Sequence, residues 1–333
     1  MPNTTFSGLS QRTTAWAVKN MLDHARPIEV LAQYGMTQPV PKNTSDTPKF
    51  RRPIPLPLDT ITTPLTEGVS PSKRAMQYET VPAQLKQYGD VVGITDRVQD
   101  IAEDPVLKDA TELCGEQAAE MKELLLWGAI CGGSNVYYAN GTARSAVNTK
   151  LTTTLQRAVV RHLKNERAKK VTSKVSSTVK YGTEQIAPAF LAFAHTDCEA
   201  DIREMAGFVP CEKYGSMEAL PHEIGKVEDV RYICSPVLNP FVGEGSTTAN
   251  GMVQSDGSNV DVYPVVYIGK DAFGHVALRG SKAFSPMVVN PGTASDSDPL
   301  GQRGSVGWKT YFDALILNQA WLCRVEVGIT DLA

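Results

Sequence analysis

Residues 49–92 read KFRRPIPLPLDTITTPLTEGVSPSKRAMQYETVPAQLKQYGDVV. Pro53, Pro55, Pro57, Pro64 and Pro71, preceded by Pro48, crowd the first half. Proline has no N–H to give a sheet ladder, so it belongs on edges and in turns. From Ala75 to Ile94 the composition turns extended, with Tyr78, Thr80, Val81, Val91, Val92 and Ile94 favouring strand. Together these features predict a long two-stranded arm with its tip near residues 60–74. Its candidate contact residues are Arg51, Arg52, Leu65, Glu67, Lys73 and Arg74. A lone hairpin is marginal in water, and its open edges accept a strand from another chain. The stretch therefore predicts a protein that completes its packing on a neighbouring copy.

Upstream, residues 1–48 read as an arm. Trp16, Val18, Met21, Leu22, Ile28 and Leu31 recur at near-helical steps, but Pro27 interrupts them. Downstream comes a helix over 104–131. Asp104 suits the N-cap and Pro105 the first helical position. Leu107, Ala110, Leu113, Cys114, Ala118, Met121, Leu124 and Leu125 recur at three- and four-residue steps. Gly132 and Gly133 stop it, and at 1.5 Å per residue it spans roughly 40 Å. A second helix is expected over 151–169, an extended piece over 172–178, a buried strand over 189–194 and a short helix over 197–205. Beyond Val227 the chain reads as strand-rich, at 230–234, 260–268 and 276–278. Loops are expected over 243–257 and 290–307. At the end, Cys323, Val325, Val327 and Ile329 alternate with Arg324, Glu326 and Gly328, a strand with one buried face.

Of 333 residues, 42% are hydrophobic, enough for a sizeable core, and the net charge of -3 gives no global basic field for coating nucleic acid. Six cysteines without a CxxC pair read as reduced, buried thiols of a cytosol. Residues 1–20 lack an apolar signal core, and the longest apolar run, 124–131, is far short of a membrane span. Assembly in a cytoplasm, with no membrane partner, is the expectation.

Reactive chemistry finds little support. His195, Cys198 and Cys211 lack a fourth zinc ligand. His222-Glu223 lacks the second histidine of a zincin helix, since Lys226 stands there. Gly243-Glu244-Gly245 has Thr248 in place of the third glycine of a dinucleotide loop. Ser305 lacks the leading glycine of a nucleophile elbow, since Arg303 stands there. No catalytic, metal-binding or cofactor-binding residue is assigned. One basic cluster stands out: Arg157, Arg161, His162, Lys164, Arg167, Lys169 and Lys170, opposed only by Glu166. Arg157, Arg161 and Lys164 share a helix face. That face reads either as a solvated surface with intersubunit salt bridges or as a contact for packaged DNA.

The order of arm, extended hairpin, long helix, mixed α/β region and terminal strand resembles the tailed-phage major capsid proteins, of the HK-ninety-seven-type fold. Leu65-Thr66-Glu67-Gly68-Val69 looks like that family's hairpin-tip element, and 104–133 like its spine helix. Residues 190–205 look like its central-domain entry. The block 297–309, from Ser297-Asp298-Pro299 to Trp308-Lys309, is similar to a late motif of N-four-type coat proteins. The resemblance runs from about residue 12 to residue 329. It implies an α+β fold with an N-terminal arm (1–48), an E-loop hairpin (49–92), a peripheral domain (93–185) holding the spine helix, an axial domain (186–310) and a return strand into the peripheral domain (311–333). It further implies pentamers and hexamers closing into an icosahedral shell around double-stranded DNA. Scaffolding and portal proteins are then partners, with room for a decoration protein. Some relatives cross-link an E-loop lysine to a neighbour; Lys73 and Lys86 lie in the loop, but no motif identifies a pair. Two rivals are an encapsulin-type nanocompartment shell and, in another class, a soluble hydrolase with an unmarked nucleophile.

Overall fold

The computed structural model describes residues 29–41, 43, 46–56, 67–70, 73–97, 106–171, 188–214, 219–278, 285–292 and 298–332. With elements numbered in chain order, β13 (Arg303–Ile316) organises one sheet. Along one edge it pairs antiparallel with β4 (Lys86–Thr95). Its other edge is shared end to end by β12 (Ser285–Val289) and β11 (Phe273–Leu278), and β1 (Met36–Val40) closes that side parallel to β11. A seven-stranded sheet runs in the order β5 (Val136–Tyr138), β14 (Leu322–Val327), β10 (Tyr263–Ile268), β6 (Phe190–Ala194), β9 (Val230–Cys234), β8 (Glu223–Val227) and β7 (Phe208–Pro210). A separate two-stranded ladder joins β2 (Lys49–Pro53) to β3 (Tyr78–Pro82).

Helix α1 (Val106–Cys131) ends before Gly132-Gly133, and its expected cap, Asp104-Pro105, lies outside the described residues; of the predicted stripe Ala110, Cys114 and Ala118 are buried, but Leu113 and Leu124 are exposed and the buried face continues through Ala119, Glu123, Leu126 and Ile130. Its first half packs Ala110, Cys114 and Ala118 against Ile94, Val306 and Trp308 of the five-stranded sheet. Its second half packs Leu126, Trp127 and Ile130 into a core shared by both sheets, with Phe193, Val266, Phe273 and Phe312. Helix α2 (Thr153–Asn165) covers the opposite face of the seven-stranded sheet through Val159, Val160 and Leu163, and the Thr152 side chain caps it by accepting from Leu155 N. The short helix α3 (Glu199–Arg203) adds Ile202 to that core. The unbroken apolar run of β6 is buried throughout, as a strand covered on both faces requires.

Three expectations of strand and loop need correction. The extended stretch 75–94 is two strands. Ala83 N donates to Pro48 O and Leu85 N to Asp46 O, which carries the hairpin pairing just past β3, and β4 then pairs with β13 in the larger sheet. The loop expected over 290–307 ends at β13, whose glycines disguised it. A Cβ at Gly307 would lie 2.8 Å from Asp90 O on the paired strand, and one at Gly304 would collide with Pro291. The terminal strand β14 is enclosed on both faces, because its polar side carries an ion-pair network. Arg144 grips Glu326 with Nε–Oε2 at 2.7 Å and Nη2–Oε1 at 2.8 Å, and Arg324 lies 2.9 Å from the same carboxylate. β14 itself lies in the seven-stranded sheet between β5 and β10, and residues 311–316 finish β13. The hairpin tip at 57–66, the extended piece at 172–178 and the arm at 1–28 lie outside the described residues.

Candidate assembly surfaces

The hairpin ladder is rooted by Phe50 and Ala83, which pack with Val40 and Val276. Beyond that root its side chains face solvent. Ile54, Leu56, Val69, Met76 and Tyr78 are all exposed, Met76 at 64%. Exposed apolar groups in this number on one segment make it a candidate interaction surface. Among the predicted contact residues, Arg51 lies over the Tyr78 ring at 4.0 Å, and Arg52 donates to Glu79 across the ladder at 2.6 Å. Glu67, Lys73 and Arg74 are exposed, with Glu67 beside the left-handed turn residue Gly68, whose φ is +80°. Leu65 lies outside the described residues.

A second surface escaped the sequence reading. Side chains of a strand alternate between faces, and the β4–β13–β12 register puts Val91, Gly307 and Met287 in one row, with Ser305 and Val289 in the next. Helix α1 covers the other face. On the open face Val91 is 66% exposed, Met287 52% and Val289 51%. Gly307 lacks a side chain between these rows, so they wall a groove of about 670 Å³ floored by Ser305, Gly307 and Lys309. Asp90 beneath is tied to α1 through Gln117 Nε2 at 2.6 Å, and Gln117 Oε1 accepts from Trp308 Nε1 at 3.1 Å. That hydrogen bond holds the Asp90 carboxyl below its ordinary value. The groove is therefore a rigid feature of the sheet. On this face β4 offers only Val91 between Gly89 and Gly93, which hid the groove from pattern reading.

The basic face of α2 is largely neutralised within the chain. Arg157 donates to Glu228 through Nε at 2.9 Å, and Lys164 and Lys170 meet Asp229 at 2.6 and 3.0 Å. Both carboxyls are held below their ordinary values, by Arg157 and by Lys164 with Lys170 respectively. Arg161 is exposed and makes no ion pair among the described residues.

Cys198, Cys211 and Glu223, weighed in the sequence as reactive groups, are committed to packing. Cys198 is buried, which pushes its thiol well up. Cys211 donates to Glu223 O. Glu223 accepts from Tyr214 at 2.5 Å and Leu220 N at 2.7 Å and pairs with buried Arg231 at 3.0 Å. Ser305 sits within β13. Among the described residues no group of His, Cys, Asp and Glu is placed to hold a metal, and no helix is long and apolar enough to cross a membrane.

The sequence model of a family described as phage capsid protein matches residues 78–325. None of the curated proteins matches the chain in sequence. Among solved structures, the capsid of Ralstonia phage GP4 is similar with a TM-score of 0.69 at 11% identity, covering 92% of both chains. The cyanophage Pam1 capsid gives 0.58 at 12% identity, again over 92% of both. An encapsulin from Synechococcus elongatus PCC 7942 gives 0.51 at 13% identity, over 91% of this chain and 89% of the other. At such identities these likenesses establish the shared fold. The family match covers most of the chain, including β4, β12 and β13, the strands that carry the open groove. The chain belongs to the phage capsid protein family and is a structural major capsid protein, not an enzyme.

Proposed function

We propose that copies of this chain close as pentamers and hexamers into an icosahedral shell around double-stranded DNA, with the hairpin arm of each copy seated on the open sheet face of the next. One observation carries this reading: a single chain displays two exposed apolar surfaces, the arm and the groove walled by Val91, Met287 and Val289. A stable shell contact buries roughly 2,000 Å² or more, and an arm laid over a neighbour supplies such area without enlarging the body. On this reading α1 with the five-stranded sheet is the peripheral part, and the seven-stranded sheet with α2 is the axial part. Scaffolding and portal proteins guide closure in the host cytoplasm, where the chain's free thiols suit a reducing compartment. Arg161 is the member of the α2 face left to meet DNA or a neighbour, since Arg157 and Lys164 are already paired.

The test is substitution on the open face. Val91→Asp and Met287→Asp should leave the subunit folded by circular dichroism yet abolish shells in negative-stain electron microscopy. Normal shells from both variants would overturn the arm-on-groove reading. Native shells free of nucleic acid would favour a nanocompartment of the encapsulin kind.

A further inference from the structure

We propose that His275 is an acid-sensitive latch on the N-terminal arm: neutral, it holds β1 in the five-stranded sheet, and protonated, it lets β1 go. The contacts lie within one chain and do not depend on the shell reading. β1 is an edge strand whose one ladder partner is β11, paired in parallel over five residues. Parallel pairs are slightly the weaker per residue, and Pro39 brings no N–H to the ladder. Such a strand leans on side-chain contacts to stay in place. His275 supplies one across the pair, with its Nε2 3.0 Å from Thr37 Oγ1. Its ring stacks on Phe312 of β13, with centroids 5.7 Å apart and planes at 28°. The residue is buried, and its other nitrogen, Nδ1, is shut from solvent with no hydrogen-bond partner among the described residues.

That arrangement suits one protonation state. A neutral ring carries a single N–H. Placed on Nε2, it donates to Thr37 Oγ1 and leaves Nδ1 bare. An imidazolium carries two, and its Nδ1–H would find no acceptor among the described residues, a buried charge half satisfied. The charged neighbours point the same way. Lys122 of α1 repels a second positive charge; Glu29 attracts it, but Lys122 already holds Glu29 at 2.6 Å. The neighbours across the ladder, Thr37 of β1 and Ala314 of β13, carry no charge. Glu123 of α1, fully buried, accepts from Val30 N and Leu31 N at 2.9 Å and from Ala32 N at 3.3 Å, so it holds the arm ahead of β1 and not β1 itself. Burial, helped by Lys122, pulls the His275 ring down to about 4. Lifting β1 takes Thr37 from the ring edge, admits water and restores the ordinary value of 6.5. The released state then binds the proton more tightly than the latched one. The hold is full above about 6.5 and is lost progressively as pH falls toward about 4.

Hydrogen exchange on the full-length, unassembled protein, with each rate divided by the intrinsic rate at that pH, reads the latch. Protection of the β1 amides should fall about twentyfold between pH 7 and pH 5, while the amides of β9 in the other sheet keep theirs. In His275→Gln the β1 slope should flatten. Carbon-labelled histidine NMR gives a reading that needs no folded variant: in the unaltered protein the His275 ring should still be neutral at pH 5. A ring protonated by pH 6, or a flat β1 profile, overturns the proposal. Equal loss at β9 overturns it too, as global unfolding. The same slope in a folded His275→Gln protein does so by assigning the proton to another group.

Discussion

The two sheets differ in what they leave to others. The seven-stranded sheet is covered by α2 on one side and by the α1 core on the other, and its β6, β9 and β10 strands are buried throughout. Its polar groups are paired inside: Tyr232 donates to Gln156 at 2.9 Å and meets Tyr267 at 2.8 Å, and Gln156 donates to Val227 O. The five-stranded sheet has α1 on one face only, and the hairpin beside it buries little beyond its root. One region is finished within the chain. The other leaves an apolar face open, the face proposed above to meet a neighbouring copy. Stability and assembly should therefore respond to different residues.

The largest separation should come from Phe193→Ala. Phe193 is fully buried between Tyr34 and Phe273, at ring separations of 5.7 and 6.4 Å. Its loss should cost about 3–5 kcal/mol in urea unfolding of unassembled subunits; a cost below about 1 kcal/mol would remove the contrast between the sheets. Glu326→Gln should cost about 2 kcal/mol in the same measurement, because it leaves Arg144 and Arg324 facing a neutral group. The figure sits below that of a wholly buried pair because Arg144 is 27% exposed and water reaches it. Smallest is Arg52→Ala on the arm, whose partner Glu79 is equally exposed. It should move the unfolding midpoint by less than about 0.5 kcal/mol while lowering shell yield by sedimentation. Unchanged yield would sharpen the comparison, by confining the contact to the arm's apolar side chains.

Most of the self-contained region was legible in the sequence. Phe190–Ala194, Val230–Cys234 and both longer helices announced themselves through unbroken or periodic apolar runs. The open region was harder for a physical reason. A surface completed by another molecule need not carry a core pattern, and β13 mixes Gly304, Ser305 and Gly307 into what looks like a turn. The apolar arm was found only because its prolines made it odd. Glu123 was missed although a signal existed: at steps of four and three from Ala119 and Leu126, it falls on the helix's core stripe. A charge there marks a buried partner.

The register of β4 with β13 joins residues 86–95 to residues 303–312. Likewise β14 inserts between β5 and β10. The five-stranded sheet cannot close until synthesis has run through residue 316, nor the seven-stranded sheet until it has run through residue 327, because each needs a strand from near the end of the chain. A nascent chain therefore has an arm well before it has a groove to receive one. If arm docks to groove as proposed, incomplete chains on one messenger cannot yet make that contact, and the competence to polymerise switches on only with the finished fold. The topology itself is a timer against premature association.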